Sequence, residues 1–306
     1  MITVLGSINL DLIAYSRDLP RPGETIAGTA FASASGGKGA NQAMAVLRGG
    51  GDLEFIGAVG ADQFAASALS ELKKEGADLT NVRTVPGSTG IAIILVAANG
   101  ENMITTIAGA NHALSPADAE KALTVRGEGD WLLLQLEVPD PTNRRSLEIA
   151  RRNGVRSVLN IAPYTPAASD YVELADYVIA NQLEFAALTG SKTGEDQPAT
   201  GNVELSAWAV KYGRHIIVTL GPQGVLAATP AGEIFEVAAP EIVPVDTVGA
   251  GDTFCGYFTS ALAAGLDLPA ALARAVWAGS LACLQHGAQP AVPTLAAVEE
   301  FISRRA

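Results

Sequence analysis

Basic residues are scarce in this chain: 20 Lys and Arg stand against 32 Asp and Glu, a formal net charge of -12. Nucleic-acid and membrane surfaces call for clustered Lys and Arg, so neither is expected as a partner. An anionic small substrate stays open, because a site needs only local positive groups. Cysteine is nearly absent. Cys255 and Cys283 lie in helical apolar patterns and no CxxC occurs, which argues against a disulfide framework and for a reduced, cytoplasmic chain with core thiols. The few histidines, His112, His215 and His286, have no ligand spacing and receive no role. Long hydrophobic runs are missing too. The longest, "IAIILVAA" at 91–98, falls far short of the roughly 20 residues that a membrane helix needs. The opening "MITVLGS" has no basic stretch before its apolar residues, so no signal peptide is expected.

What the chain does have is 48% hydrophobic residues and 32 glycines, enough for a sizeable core with many tight turns. A length of 306 residues fits two domains, or one large α/β domain with an insertion. Short β-branched runs at 2–7, 53–59, 131–136, 155–161, 176–181 and 215–221 read as buried strands. Amphipathic stretches at 63–75, 141–153, 182–188 and 203–212 separate them, and 251–264, 269–285 and 294–304 read as helices. The alternation predicts a three-layer α-β-α sandwich around a mostly parallel sheet. Two segments break the rhythm. Residues 11–33 read as strands joined by a Pro-Gly turn, and 89–109 as a hairpin turning at Asn99-Gly100. We therefore expect a core of 1–10, 34–88 and 110–306, with a small separate sheet from 11–33 and 89–109.

Ligands of open parallel sheets sit beyond the carboxyl ends of the strands. Asn9, Asp11, Glu137, Asn181 and Gly221 all fall at such ends and together mark a cleft. The Gly-rich "SGGKGANQA" (35–43) is not a Walker A loop, since Ala32 and Gly39 stand where a Gly and a Ser or Thr belong. "GAGDTF" (249–254) is not a dinucleotide fingerprint, since Phe254 replaces its last Gly. By itself "GGKGAN" reads as a plain helix start with an exposed Lys. "GAGD" carries more chemistry. Gly249, Ala250 and Gly251 at a helix start present free N–H groups that can hold an anion. Asp252 beside them would repel a phosphate, but it suits a base facing a hydroxyl that attacks one. The plainer alternative is an Asp cap with Gly for flexibility. "NQLE" puts Asn181 and Glu184 three residues apart, a spacing that suits either Mg²⁺ held by few protein oxygens or a simple capping box.

Taken in order, "GSINLDL", "GGKGANQA", "NQLE", "TLGPQGV", "DTVGAGDTFCGYF" and "HGAQPAVP" resemble the ribokinase branch of the PfkB-type carbohydrate kinases along nearly the whole chain. The resemblance implies a ribokinase-like fold in which the small sheet is a lid and a homodimer contact. It implies that Asn9, Asp11, Gly37, Lys38, Asn41 and Glu137 bind sugar hydroxyls, and that Asp252 is the base. Gly249, Ala250 and Gly251 correspond to the anion hole, and Asn181, Thr219, Gly221, Gly224 and Gly251 to ATP contacts. Asn181 and Glu184 correspond to the Mg²⁺-associated pair. A K⁺ site corresponds to Asp246, Val248, Ala282, Gln285, Gly287 and Ala291. The chain departs from the family pattern twice: Ala291 stands where ribokinases often carry Ser, and Val276 stands at a usually polar position near the adenine.

The implied activity is ATP-dependent phosphorylation of D-ribose at its 5-hydroxyl. The competing readings are a related kinase for another pentose, a ketohexose or a nucleoside, and a non-catalytic sugar sensor on a kinase fold.

Overall fold

The computed structural model describes residues 1–191 and 201–304. Thirteen strands run in chain order among these residues. They are β1 (Ile2–Leu5), β2 (Asn9–Ser16), β3 (Gly28–Gly36), β4 (Leu53–Gly60), β5 (Val82–Val85), β6 (Gly90–Ala97) and β7 (Asn102–Ile107). The rest are β8 (Trp131–Leu134), β9 (Arg156–Asn160), β10 (Tyr177–Asn181), β11 (His215–Thr219), β12 (Val225–Ala228) and β13 (Ile234–Val237). The α-helices are α1 (Lys38–Arg48), α2 (Ala65–Ala68), α3 (Ser70–Lys74), α4 (Pro116–Leu123) and α5 (Asp140–Asn153). After them come α6 (Gln182–Thr189), α7 (Asn202–Tyr212), α8 (Ala250–Ala263), α9 (Leu268–Ala282) and α10 (Leu295–Ser303).

Nine strands form the main sheet in the order β13-β12-β11-β10-β9-β8-β1-β4-β5. All neighbours are parallel except at β12 and β13, which pair antiparallel at one edge. Side chains alternate across the sheet and build two cores. Val4, Phe55, Leu133 and Ile217 pack with Met44, Phe254, Tyr257, Leu272 and Val298, from α1, α8, α9 and α10. Their neighbours Leu5, Ile56, Leu134 and Val218 pack on the other face with Leu123, Leu147, Phe185 and Trp208, from α4 to α7. This is the expected three-layer sandwich, and it follows from strands buried on both faces.

The sequence direction reverses beside β1. The chain builds outward through β4 and β5, then returns to lay β8 on the opposite side of β1 and continues to β11. Such a switch point opens a crevice at the carboxyl ends of the strands. A short link, Gly6–Ile8, carries the chain from β1 into β2 of a second sheet, ordered β3-β2-β6-β7.

Several expected elements differ in detail. The helix expected over 63–75 is two short pieces, α2 and α3. The strand expected to reach 221 stops at Thr219, where Gly221 takes a positive φ of 58° and Pro222 lacks an N–H for the ladder. The helix expected to reach 285 ends at Ala282, and the Cys283 carbonyl accepts from Val245 and Asp246 N–H instead. Among the described residues no helix is long and apolar enough to cross a membrane.

Candidate active site

Two helix N-termini meet at the crevice. Gly37 precedes α1, and Gly249 precedes α8 with φ 77°, a left-handed conformation that favours glycine. A Cβ at Gly249 would also stand 2.9 Å from Ala288, so the turn is tight as well as left-handed. The helices pack closely at Gly256, where a Cβ would lie 2.4 Å from the Ala45 Cβ and 2.7 Å from the Gln42 carbonyl oxygen. That approach brings the side chains of α1 to Asp252. Asn41 Nδ2 donates to Asp252 Oδ2 at 2.9 Å, and Gln42 Nε2 donates to Asp252 Oδ1 at 2.9 Å. Each carboxylate oxygen thus holds one amide donor, and Asp252 is only 8% exposed.

Two cavities open at the crevice, and the start of α8 borders the larger of them through Ala250 and Gly251. A large one of about 1120 Å³ is lined by Thr219, Gly221, Gly224, Gly251, Val276 and Cys283, among others. A smaller one of about 290 Å³ includes Asn9, Asn111, His112 and Glu137 in its wall. Glu137 is fixed beside β1: its Oε2 accepts from Ser7 Oγ at 2.5 Å and from the Lys38 backbone N–H at 3.0 Å. Asn9 is fixed by Asn111, whose Nδ2 donates to Asn9 Oδ1 at 2.8 Å while its own Oδ1 accepts from the Ile8 N–H at 2.9 Å.

Charges converge on the same place. Burial, and after it the charges of Glu137 and Asp252, push the Asp11 carboxyl up to about 6. Burial works against the Lys38 ammonium, but the carboxylates of Asp252, Glu137 and Glu184 outweigh it and raise its pKa. Burial also raises Glu184, against the opposing effects of the Asn181 N–H and Lys38. One buried cation therefore sits among several carboxylates.

Asn9, Asp11, Gly37, Lys38, Asn41, Glu137 and Asp252 are thus brought together. Thr219, Gly221, Gly224 and Gly251 gather around the large cavity, with Val276 on its wall. Asn181 and Glu184 do form the capping box: Glu184 N–H donates to Asn181 Oδ1 and Asn181 N–H to Glu184 Oε2, both at 2.8 Å. Asp246 accepts from Val248 N–H at 3.0 Å and from Gly287 N–H at 2.9 Å, which ties two of the remaining loops together. The sequence reading missed Ser7, Gln42, Asn111, Gln135, Asn160 and Gln289, all buried. The signal available was an amide inside an otherwise apolar run, as in "WLLLQL" and "VLNI".

The chain matches the profile of the pfkB family carbohydrate kinases over residues 1–295. The chain belongs to the pfkB family. As a member it is a phosphotransferase with an alcohol group as acceptor. It is 35% identical over 302 residues to a ribokinase of Bacillus subtilis, with 99% of each chain covered. It is 34% identical over 306 residues to a deoxyribokinase of Salmonella typhi, covering 99% of this chain and 98% of the other. Among solved structures, it is similar to an Arabidopsis thaliana ribokinase complexed with ribose and ATP, with a TM-score of 0.88, 29% identity and 98% of both chains covered. The two-cavity crevice of this pfkB-family kinase lies where such a fold binds its ligands, at the carboxyl edge of the parallel strands.

Proposed function

We propose that the enzyme transfers the γ-phosphoryl group of ATP to the 5-hydroxyl of D-ribose, giving D-ribose 5-phosphate and ADP. The observation that carries this reading is the Asp252 carboxylate, held by two amides in the first turn of α8, where Ala250 and Gly251 border the large cavity. Asn9, Asp11, Gly37, Lys38, Asn41 and Glu137 bind the sugar hydroxyls, since a buried hydroxyl needs matched polar partners. Asp252 takes the proton from the 5-hydroxyl as its oxygen attacks the γ-phosphorus, the new O–P bond forms, and the bond to the ADP oxygen breaks. The N–H groups around Gly249, Ala250 and Gly251 stabilise charge on the transferring group. Thr219, Gly221, Gly224 and Asn181 receive the nucleotide.

Asn181 and Glu184 are fit partners for Mg²⁺ bound through water: they are an amide oxygen and a carboxylate three residues apart at the start of α6. The ion supplies charge neutralisation on the phosphates when bound. The decisive assay is an ADP-release screen over sugars and nucleosides. Ribose should give the highest kcat/KM. A tenfold advantage for deoxyribose, fructose or a nucleoside would sink the ribose assignment and leave the kinase class intact.

A K⁺ ion near Asp246, with carbonyls of Val248, Ala282, Gln285 and Gly287, is the activator we expect. Ala291 is 2% exposed and brings no side-chain oxygen there, so binding is weakened rather than lost. Ala291→Ser should lower the half-saturating K⁺ concentration. Turnover that ignores K⁺ in both proteins removes this site.

The second sheet acts as a lid over the sugar and as a dimer contact. Its register sets Phe31, Ala14, Leu95 and Met103 in one row across four strands, and Phe31 and Met103 are 70% and 54% exposed. Such a row favours burial against a second copy. Light scattering at micromolar concentration should give a dimer, and a monomer would contradict it. The free thiols Cys255 and Cys283 support a reducing, cytoplasmic setting, which recovery of the enzyme outside the cytosol would refute.

A further inference from the structure

Behind Asp252, away from both cavities, lies a set of buried amides that the reaction leaves without a task. Gln42 and Gln135 are 0% exposed and Asn160 is 7% exposed. Gln42 Nε2 donates to Asp252 Oδ1 at 2.9 Å and to Asn160 Oδ1 at 3.1 Å. Its Oε1 accepts from Gln135 Nε2 at 2.7 Å. Asn160 is oriented in turn, since its Nδ2 donates to the Ile179 carbonyl at 3.2 Å. These partners determine which end of the Gln42 amide faces the carboxylate. Gly6 makes room for the arrangement: a Cβ there would stand 2.0 Å from Gln135 Oε1, an atom with no hydrogen-bond partner.

We propose that Gln42 is a positioning residue for phosphoryl transfer. Held by Gln135 and Asn160, it fixes the rotation of the Asp252 carboxylate and stabilises its negative charge. The proposal rests on reading Asp252 as the base. A seam between two packed helices is filled more cheaply by an apolar side chain, because buried amides gain little net stability over water. An amide at this spot is explained by what it does to the carboxylate it touches. Lys38 from α1, Asp11 from β2, Glu184 from α6 and Cys255 from α8 itself lie within electrostatic reach of Asp252. Glu137 acts on the same Asp11 and Lys38. None of these replaces a donor aimed at Oδ1.

The test is the pH profile of kcat for the wild type, Gln42→Met, Gln135→Met and Asp252→Asn, with KM for ribose and ATP measured alongside. Methionine keeps the volume and removes the donor. Releasing the rotation of the Asp252 carboxylate is expected to lower kcat of Gln42→Met by about 10- to 100-fold at pH 7, since a misplacement of about 1 Å can cost 10²-fold. Its acidic limb should move up by about one to two pH units, because an anion with one donor fewer protonates sooner. Both KM values should stay within about threefold, as Gln42 touches neither cavity. Gln135→Met frees Gln42 to turn and should shift the limb the same way by a smaller amount.

A role confined to stability predicts something else: activity lowered equally at every pH, in step with the folded fraction. A limb that stays put in Gln42→Met overturns the proposal. If that variant does not fold, an unmoved limb in Gln135→Met does the same. Asp252→Asn separates the two levels. If it keeps turnover, the base reading fails and the Gln42 role goes with it. If it is inactive while the Gln42→Met limb is unmoved, only the Gln42 role fails.

Discussion

Asp252→Asn should lower kcat by about 10²- to 10⁴-fold, the usual contribution of a general base. The amide cannot take up the hydroxyl proton near neutral pH, whereas the N–H groups at the start of α8 remain for the phosphate. Nucleotide affinity measured by titration calorimetry should therefore persist. The substitution is less innocent for the fold than its size implies. Both oxygens of Asp252 accept from amide nitrogens, Gln42 on one and Asn41 on the other. Gln42 is oriented by Gln135, and Asn41 Oδ1 accepts from Gln289 Nε2 at 3.2 Å. An amide nitrogen at position 252 would face one of these donors with nothing to accept, a loss of about 1–3 kcal/mol for an unsatisfied buried group. Thermal melting should register that loss, so activity is to be compared on folded protein at a temperature well below both midpoints. If Asp252→Asn retains more than about a tenth of the wild-type kcat under those conditions, the carboxylate is a structural cap and the base lies elsewhere.

The layout of this molecule was legible where chemistry is written locally. Buried parallel strands announce themselves as short apolar runs, and β1, β4, β8, β9, β10 and β11 fall where those runs stand. The hairpin β12–β13, "VLAA" and "IFEV" joined through "TPAGE", was missed, each strand being only four residues long. Helix α4 was missed although Ser115 and Asp118 spell its capping box. In the site, glycines beside charged residues stood out at strand ends, and the motif order gave them a family. The amides behind Asp252 did not stand out. Gln42 meets Asp252 across 210 positions, Asn160 across 118 and Gln135 across 93, so each side chain alone resembles an ordinary polar residue near a strand or helix end. "NQLE" shows the same limit from the other side. Its capping box was a local prediction and is formed, while the electrostatic effect of Lys38 on Glu184 comes from a residue far off in the chain.

Gly256→Ala should damage both stability and catalysis, although the same change in a free helix is favourable by about 1 kcal/mol. The reason is the seam between α1 and α8. A methyl group at position 256 would stand 2.4 Å from the Ala45 Cβ, 2.7 Å from the Gln42 carbonyl oxygen and 2.8 Å from the Val46 nitrogen. Two of these are backbone atoms of a helix, so no rotamer change relieves them. The helices must separate, by more than an ångström if the contacts are to reach ordinary van der Waals distance. Overpacking of this kind costs about 1–3 kcal/mol. The catalytic consequence is larger in proportion, because Asn41 and Gln42 ride on α1 while Asp252 rides on α8. Moving one helix against the other pulls both donors from the carboxylate, and a displacement of about 1 Å can cost 10²-fold in rate. We therefore expect kcat to fall by about that factor in the folded variant, with smaller changes in nucleotide affinity, since residues such as Thr219 and Gly224 lie on other elements. Ala45→Gly placed on top of Gly256→Ala removes one of the three clashes and should recover part of both losses. The double variant is the informative one. If Gly256→Ala melts at or above the wild-type temperature with kcat unchanged, the close approach of α1 and α8 is not what holds Asp252 in place.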